Sequence, residues 1–209
     1  MGNHWTIPKP GFCKLNVHGC YIGRPFKNGN KTGVGAVIRD DKGKIVRMLT
    51  GTQPGFSEKR IMCFAMMMGL RLAWEEQKKL IILETDNWFA FQCYYGKWCE
   101  ECKYEIDQIQ KRREDKNMKI GVIYIPPAAN RLAIYLAKNG SETREDIHIT
   151  KKPFGKVLEI WYEEMRIGSP WIRLIREADD EGPEMLSLAA SVGMISFISL
   201  CNLILYFAC

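Results

Sequence analysis

Four consecutive residues, Leu80-Ile81-Ile82-Leu83, constrain the fold more than any other feature of the chain. The run contains no polar side chain and is too short for a packed helix, so it reads as a strand covered on both faces, which needs helices above and below the sheet. The residues before it supply one such helix. Ile61, Phe64, Ala65, Met68, Leu72 and Ala73 recur at helical spacing between Ser57, a good N-cap, and about Glu76. The three consecutive methionines 66–68 are pliable packing material rather than a cofactor site. Ahead of that helix, Cys13, Leu15 and Val17 alternate with polar residues as in a half-buried strand. Val34 to Arg39 and Ile45 to Thr50 are further strand-like runs, joined by Asp40-Asp41-Lys42-Gly43 into a three-strand meander. After Leu83 the pattern predicts helices near Trp88–Tyr95 and Glu100–Arg113, a strand from Met118 to Ile125 and a helix near Asn130–Lys138. The order βββαβαβα implies an α/β domain with a mixed sheet flanked by helices, ending near residue 140.

The last 25 residues, Met185 to Cys209, carry no charge. As a helix they would extend roughly 37 Å, enough to cross a hydrocarbon core of about 30 Å. The expectation is a C-terminal transmembrane anchor inserted after synthesis, with the domain left on the cytosolic face of the endoplasmic reticulum or mitochondrial outer membrane. A buried C-terminal core helix in a soluble cytoplasmic or nuclear protein is the alternative, kept open by four serines and Asn202. Ser187, Ala189, Ser191 and Gly193 give the small-xxx-small spacing that lets two such helices approach, which suggests a homodimer. The acidic flank Asp179, Asp180, Glu181 and Glu184 gives the positive-inside rule nothing to act on. Residues 141–184 read as a partly amphipathic helical connector whose apolar face, around Val157, Ile160, Trp161 and Met165, suits contact with a protein partner.

Charge is unevenly divided. Residues 1–140 hold 23 basic and 13 acidic side chains, and residues 141–209 hold 7 and 11. The first part therefore favours polyanions, and Lys111, Arg112, Arg113, Lys116 and Lys119 form a candidate for weak, non-specific phosphate contact, although Glu114 and Asp115 interrupt them. The eight cysteines, with no charged-then-apolar leader ahead of them, read as reduced thiols. Cys99-Glu100-Glu101-Cys102 has the spacing of a ligand pair and Cys93 lies six residues before it, but no second pair or histidine nearby completes a tetrahedral site, so no metal is expected there. Met1-Gly2-Asn3-His4-Trp5-Thr6 fits a loose myristoylation pattern, with Trp5 equally suited to clamping the first strand. Asn30-Lys31-Thr32 and Asn139-Gly140-Ser141 are sequons that would report a lumenal domain.

Several segments together resemble the ribonuclease H domains of the plant reverse-transcriptase-like group. They are Trp5-Thr6-Ile7-Pro8, Gly11-Phe12-Cys13-Lys14-Leu15-Asn16-Val17, Gly33-Val34-Gly35-Ala36-Val37-Ile38-Arg39-Asp40, Gly69-Leu70-Arg71-Leu72-Ala73, Leu83-Glu84-Thr85-Asp86 and Ala129-Asn130-Arg131-Leu132-Ala133. The resemblance covers residues 5–140 and implies a five-stranded sheet whose first three strands are antiparallel. It also implies hydrolysis by four carboxylates around two Mg²⁺ ions, since Mg²⁺ demands hard, charged oxygen ligands and a pair of ions clamps both the attacking and the leaving oxygen. Carried over position by position, those carboxylates fall on His18, Met62, Asp86 and Ile134, and only Asp86 is an acid. A histidine frequent in the family falls on Tyr124. Glu58 and Asp40 are the nearest acids that a slip in alignment could recruit.

The resulting expectation is a catalytically degenerate ribonuclease H-fold protein that needs no cofactor, acts by binding and is tail-anchored to a membrane. The alternative is a ribonuclease H-type RNA–DNA hybrid endonuclease, or a weak nucleic-acid-binding protein with residual activity, for which Mg²⁺ would be expected.

Overall fold

The computed structural model describes residues 4–23, 25, 29–143 and 146–168. Strands β1 (Cys13–Tyr21), β2 (Thr32–Arg39) and β3 (Ile45–Gly51) form the antiparallel meander. Helix α1 (Glu58–Glu75) leads to β4 (Leu80–Thr85), then α2 (Trp88–Tyr94), a 3-10 turn (Glu100–Cys102) and α3 (Lys103–Arg113). Strand β5 (Lys119–Tyr124), helix α4 (Arg131–Thr143), strand β6 (His148–Thr150) and helix α5 (Gly155–Gly168) complete the described chain. The sheet order is β5-β4-β1-β2-β3-β6, with β1 pairing β4 in parallel, and β4 pairing β5 in parallel. The run at 80–83 is thus an interior strand. Ser57 caps α1, its hydroxyl accepting from the Arg60 amide at 3.2 Å.

Pleating sends successive residues of β1 to opposite faces. Leu15 and Val17 enter the main core with Ala36, Ile38, Leu49 and Leu83 of the neighbouring strands and with Ile61, Ala65, Leu70 and Leu72 of α1. Each such fully buried side chain contributes about 1.5–3 kcal/mol relative to exposure. The other face carries a smaller apolar cluster in which Val37 and Met48 of the sheet meet Leu132 and Leu136 of α4 and Val157 and Ile160 of α5. Helix α4 lies directly on β2. A Cβ at Gly35 would stand 2.3 Å from the Ala133 carbonyl oxygen and one at Gly33 2.1 Å from that of Ala137, so the Gly33-Val34-Gly35 spacing is what lets helix and strand touch.

Three expectations change here. The sheet has six strands rather than five, because β6 pairs antiparallel with β3 through Met48, Leu49 and Thr50. The compact unit does not end near 140 but runs to Ile167, so β6 and α5 belong to it instead of to a connector. And β1 is not half-buried: Lys14 and Asn16 are enclosed as well, with polar partners in Thr6, in Glu84 and Arg39 of the neighbouring strands and in Asn130 just before α4. The anchor segment 185–209 and its acidic flank lie outside the described residues. Among the described residues no helix is long and apolar enough to cross a membrane.

Candidate functional site

The parallel register Asn16↔Glu84 and Val17↔Thr85 brings His18 alongside Asp86, just past the last pair, and both side chains leave the same face. Asp86 closes β4 immediately before Asn87, whose side-chain oxygen caps α2 by accepting from the Ala90 amide at 2.8 Å. The Asp86 side chain is almost fully enclosed. Its Oδ1 accepts from His18 Nδ1 at 2.8 Å and from Asn130 Nδ2 at 2.7 Å. A carboxylate is an acceptor only, so in this contact Nδ1 is the donor.

Asn130 sits at the entrance to α4 and joins the site to the sheet. Its amide also donates to the Val17 carbonyl at 3.0 Å, and its oxygen accepts from Asn16 Nδ2 at 3.1 Å. Asn16 Nδ2 donates further to Glu84 at 2.9 Å, Glu84 pairs with Lys14 at 2.6 Å, and Arg39 donates to Asn16 Oδ1 at 2.8 Å and pairs with Glu164 of α5. The Arg39 guanidinium lies 3.6 Å from the centroid of the Trp5 ring. Burial draws its pKa below the ordinary arginine value, and the Glu164 carboxylate opposes that shift. A continuous buried polar network thus runs from Trp5 to Glu164 and ends at His18.

The other two positions that the resemblance singles out, Met62 and Ile134, lie on elements packed near this end of the sheet. A Cβ at Gly19, next to His18, would lie 2.5 Å from the Ile61 carbonyl oxygen and 2.9 Å from Met62 Cα, so the turn of α1 carrying Met62 abuts β1 there. Ile134 is one helical turn beyond Asn130, to whose carbonyl its amide donates at 3.1 Å. The acids that an alignment slip could recruit stay apart. Asp40 accepts from the Lys42 and Lys44 amides in the β2–β3 turn, and Glu58 stands exposed one turn before Met62. A pair of Mg²⁺ ions does not fit this donor set: one carboxylate with an oxygen already held by two N–H donors, an imidazole, and two side chains without oxygen.

The predicted basic cluster divides. Arg112 lies over the Trp74 ring at 4.3 Å, and Arg113 lies over Tyr94 at 5.6 Å and donates to its carbonyl, so both pack on the chain's own aromatics. Lys111 is exposed. Lys116 and Lys119 meet Lys78 and Lys79 in a groove of about 740 Å³ that also holds Asp40 and Asp41. That groove opens where β1, β4 and β5 begin, whereas Asp86 lies where β4 ends.

Two groupings were missed by sequence reasoning. Trp88, Tyr95 and Tyr124 are exposed around Phe91, with Trp88 stacked on Phe91 at 5.1 Å and edge-on to Tyr124 at 5.3 Å. This aromatic surface begins two residues after Asp86, and the aromatic density of 88–95 was its only signal. The second is Cys63, which α1 brings to Cys93, Cys99 and Cys102 from 30 residues upstream. The Thr32 and Ser141 hydroxyls of the two sequons are buried in the fold.

A family model described as reverse transcriptase-like matches residues 22–140. The chain belongs to that family. Its fold is correspondingly that of ribonuclease H. The N-terminal ribonuclease H domain of a Mycobacterium tuberculosis protein superposes with a TM-score of 0.55 at 17% identity, covering 62% of this chain and 93% of that one. Ribonuclease H1 of the halophilic archaeon Halobacterium salinarum gives 0.54 at 19% identity, covering 62% and 96%. A ribonuclease H1 isolated from compost, in complex with an RNA/DNA hybrid, gives 0.51 at 18% identity, covering 61% and 94%. No curated protein matches the sequence. The matched residues hold β2 to β5, α1 and most of α4; β1, β6 and α5 lie outside them.

Proposed function

We propose that this protein is a ribonuclease H-fold binding module that has given up strand scission and is held on the cytosolic face of a membrane by residues 185–209. One observation carries the non-catalytic reading: Asp86, the only acid among the four family positions, spends Oδ1 on His18 and Asn130. Two-metal hydrolysis needs oxygens free to bind cations, and Met62 and Ile134 supply none. The membrane reading rests on the charge-free 185–209 run and its length.

A second reading, nucleic-acid binding without cleavage, is favoured by the exposed aromatic group at Trp88, Tyr95 and Tyr124, since such rings stack on bases irrespective of sequence. The compost ribonuclease H1 is seen in complex with an RNA/DNA hybrid, and the fold shared with it supports this reading.

The deciding experiment incubates the detergent-purified full chain with an RNA–DNA hybrid in Mg²⁺ and in Mn²⁺. The expected outcome is no metal-dependent cleavage above that of Asp86→Asn. Cleavage abolished by Asp86→Asn would establish the enzyme instead. Fractionation of cells expressing the full chain, beside one ending at Glu184, tests the anchor: the first should pellet with membranes and the second should not.

A further inference from the structure

Four cysteines from three segments share one buried corner. Cys63 is on α1, Cys93 is on α2, and Cys99 and Cys102 bracket the 3-10 turn that opens α3. Cys63, Cys93 and Cys102 have no exposed surface and pack with Ile106, while Cys99 and Phe89 close the rim. The ligand atoms of Cys99, Glu101 and Cys102 lie within 4.8 Å of one another. The Cys102 amide donates to the Cys99 carbonyl at 3.1 Å, folding the C-x-x-C into a tight turn whose two sulfurs lie within 4.8 Å.

A divalent cation suits a group of buried, clustered sulfurs, because the metal deprotonates the thiols and neutralises the thiolates together. Zinc takes four such ligands tetrahedrally at about 2.3 Å, and C-x-x-C is the spacing that gives it two from one turn. Four thiolates on Zn²⁺ leave a net charge of −2, and the surroundings answer it: Lys59 and Lys97 both lie over the Phe89 ring at the rim, at 5.9 and 5.2 Å. Glu100 and Glu101 are exposed, and the Glu101 carboxylate, close to both sulfurs of the turn, accepts from the Ser57 hydroxyl at 3.0 Å.

We propose that Cys63, Cys93, Cys99 and Cys102 bind one Zn²⁺, tying α1, α2 and the start of α3 together. All four positions come from the protein, leaving none open for water, so the site is structural. Binding releases one proton from each thiol that enters as thiolate, and no electron is transferred. The proposal stands apart from the binding function above and holds whether or not the chain cuts nucleic acid.

The test uses the full chain, purified in detergent under reducing conditions without chelator. Elemental analysis should find close to one zinc per chain. Titration of the metal-stripped, reduced protein with Co²⁺ should give the intense visible bands and sulfur-to-cobalt charge-transfer absorption of a tetrahedral thiolate site. Cys99→Ser/Cys102→Ser and Cys63→Ser should each lose that spectrum, and Cys13→Ser/Cys20→Ser, which changes two buried cysteines elsewhere, should keep it. The wild-type cobalt titration is informative even where a variant fails to fold. A reduced wild-type chain that takes up neither ion would overturn the proposal, as would a full cobalt spectrum from Cys63→Ser or a disulfide among the four cysteines in the zinc-free protein as purified.

Discussion

Arg39 has no exposed surface, and its partners come from three distant parts of the chain: the Trp5 ring, Asn16 of β1 and Glu164 of α5. Removing one member of a buried ion pair leaves the other charged and unsolvated, which costs about 3–5 kcal/mol, whereas replacing both by apolar residues is often neutral. Arg39→Met and Glu164→Gln should each lower the unfolding free energy by about that amount, and Arg39→Met/Glu164→Leu by less than either, as read from urea midpoints in a double-mutant cycle. Cys13, on the opposite face of the sheet, makes a pH prediction. Burial pushes its thiol up to about 11 from 9.0, so between those values the unfolded chain has released a proton that the folded chain retains. Stability from this group is therefore complete below pH 9 and is lost as pH rises through about 11, a fall of roughly 2 to 3 kcal/mol. Unfolding at pH 8 and at pH 11 should show that fall in the wild type and a correspondingly smaller one in Cys13→Ala. At this scale the sequence was legible where neighbours in space are aligned by a register. His18 and Asp86 could be placed because β1 and β4 run in parallel and each position had a family counterpart. The partners of that pair could not be foreseen, since Asn16 and Asn130 are 114 residues apart and Arg39 and Glu164 are 125.

At the scale of elements, periodicity located most of the strands and helices up to Lys138 to within a residue or two, because each has a long apolar pattern of its own. β6 has three residues, two of them exposed, and so carries no pattern to detect. The apolar face of α5 was visible, but nothing in its own residues said that it would land on Val37, Met48 and Leu136. What brings α4 onto the same face is the absence of side chains on β2, and this can be measured. Gly35→Ala would force a methyl group to within 2.3 Å of the Ala133 carbonyl oxygen, a backbone atom that cannot swing aside. Overpacking of that kind costs about 1–3 kcal/mol or more. Gly121→Ala, in β5, meets nothing within 4 Å and should change stability by less than about 0.5 kcal/mol. Thermal unfolding of the two variants side by side should show a lowered midpoint for the first alone.

For the molecule as a whole, the two features that could touch nucleic acid lie at opposite ends of the same strands. Asp86 and the exposed aromatic group stand where β4 and β5 finish, and the lysine groove stands where β1, β4 and β5 begin. Six residues of strand separate them, about 20 Å at 3.3 Å per residue. A ligand engaged by the lysines alone would thus be held well away from Asp86, and its affinity would come from phosphate neutralisation, which is insensitive to sequence and steeply dependent on salt. Lys116→Gln/Lys119→Gln should then lower hybrid affinity and make the slope of log affinity against log salt shallower by roughly 2, about 0.9 for each phosphate contact removed. Asp86→Asn should leave that slope where it is, because a carboxylate locked to His18 and Asn130 contributes no cation to the exchange. If instead both variants changed the slope, the bound strand would have to span the full length of β4, and the two ends of the sheet would form one continuous binding face. Filter-binding isotherms at four or five salt concentrations distinguish these arrangements without any cleavage being needed.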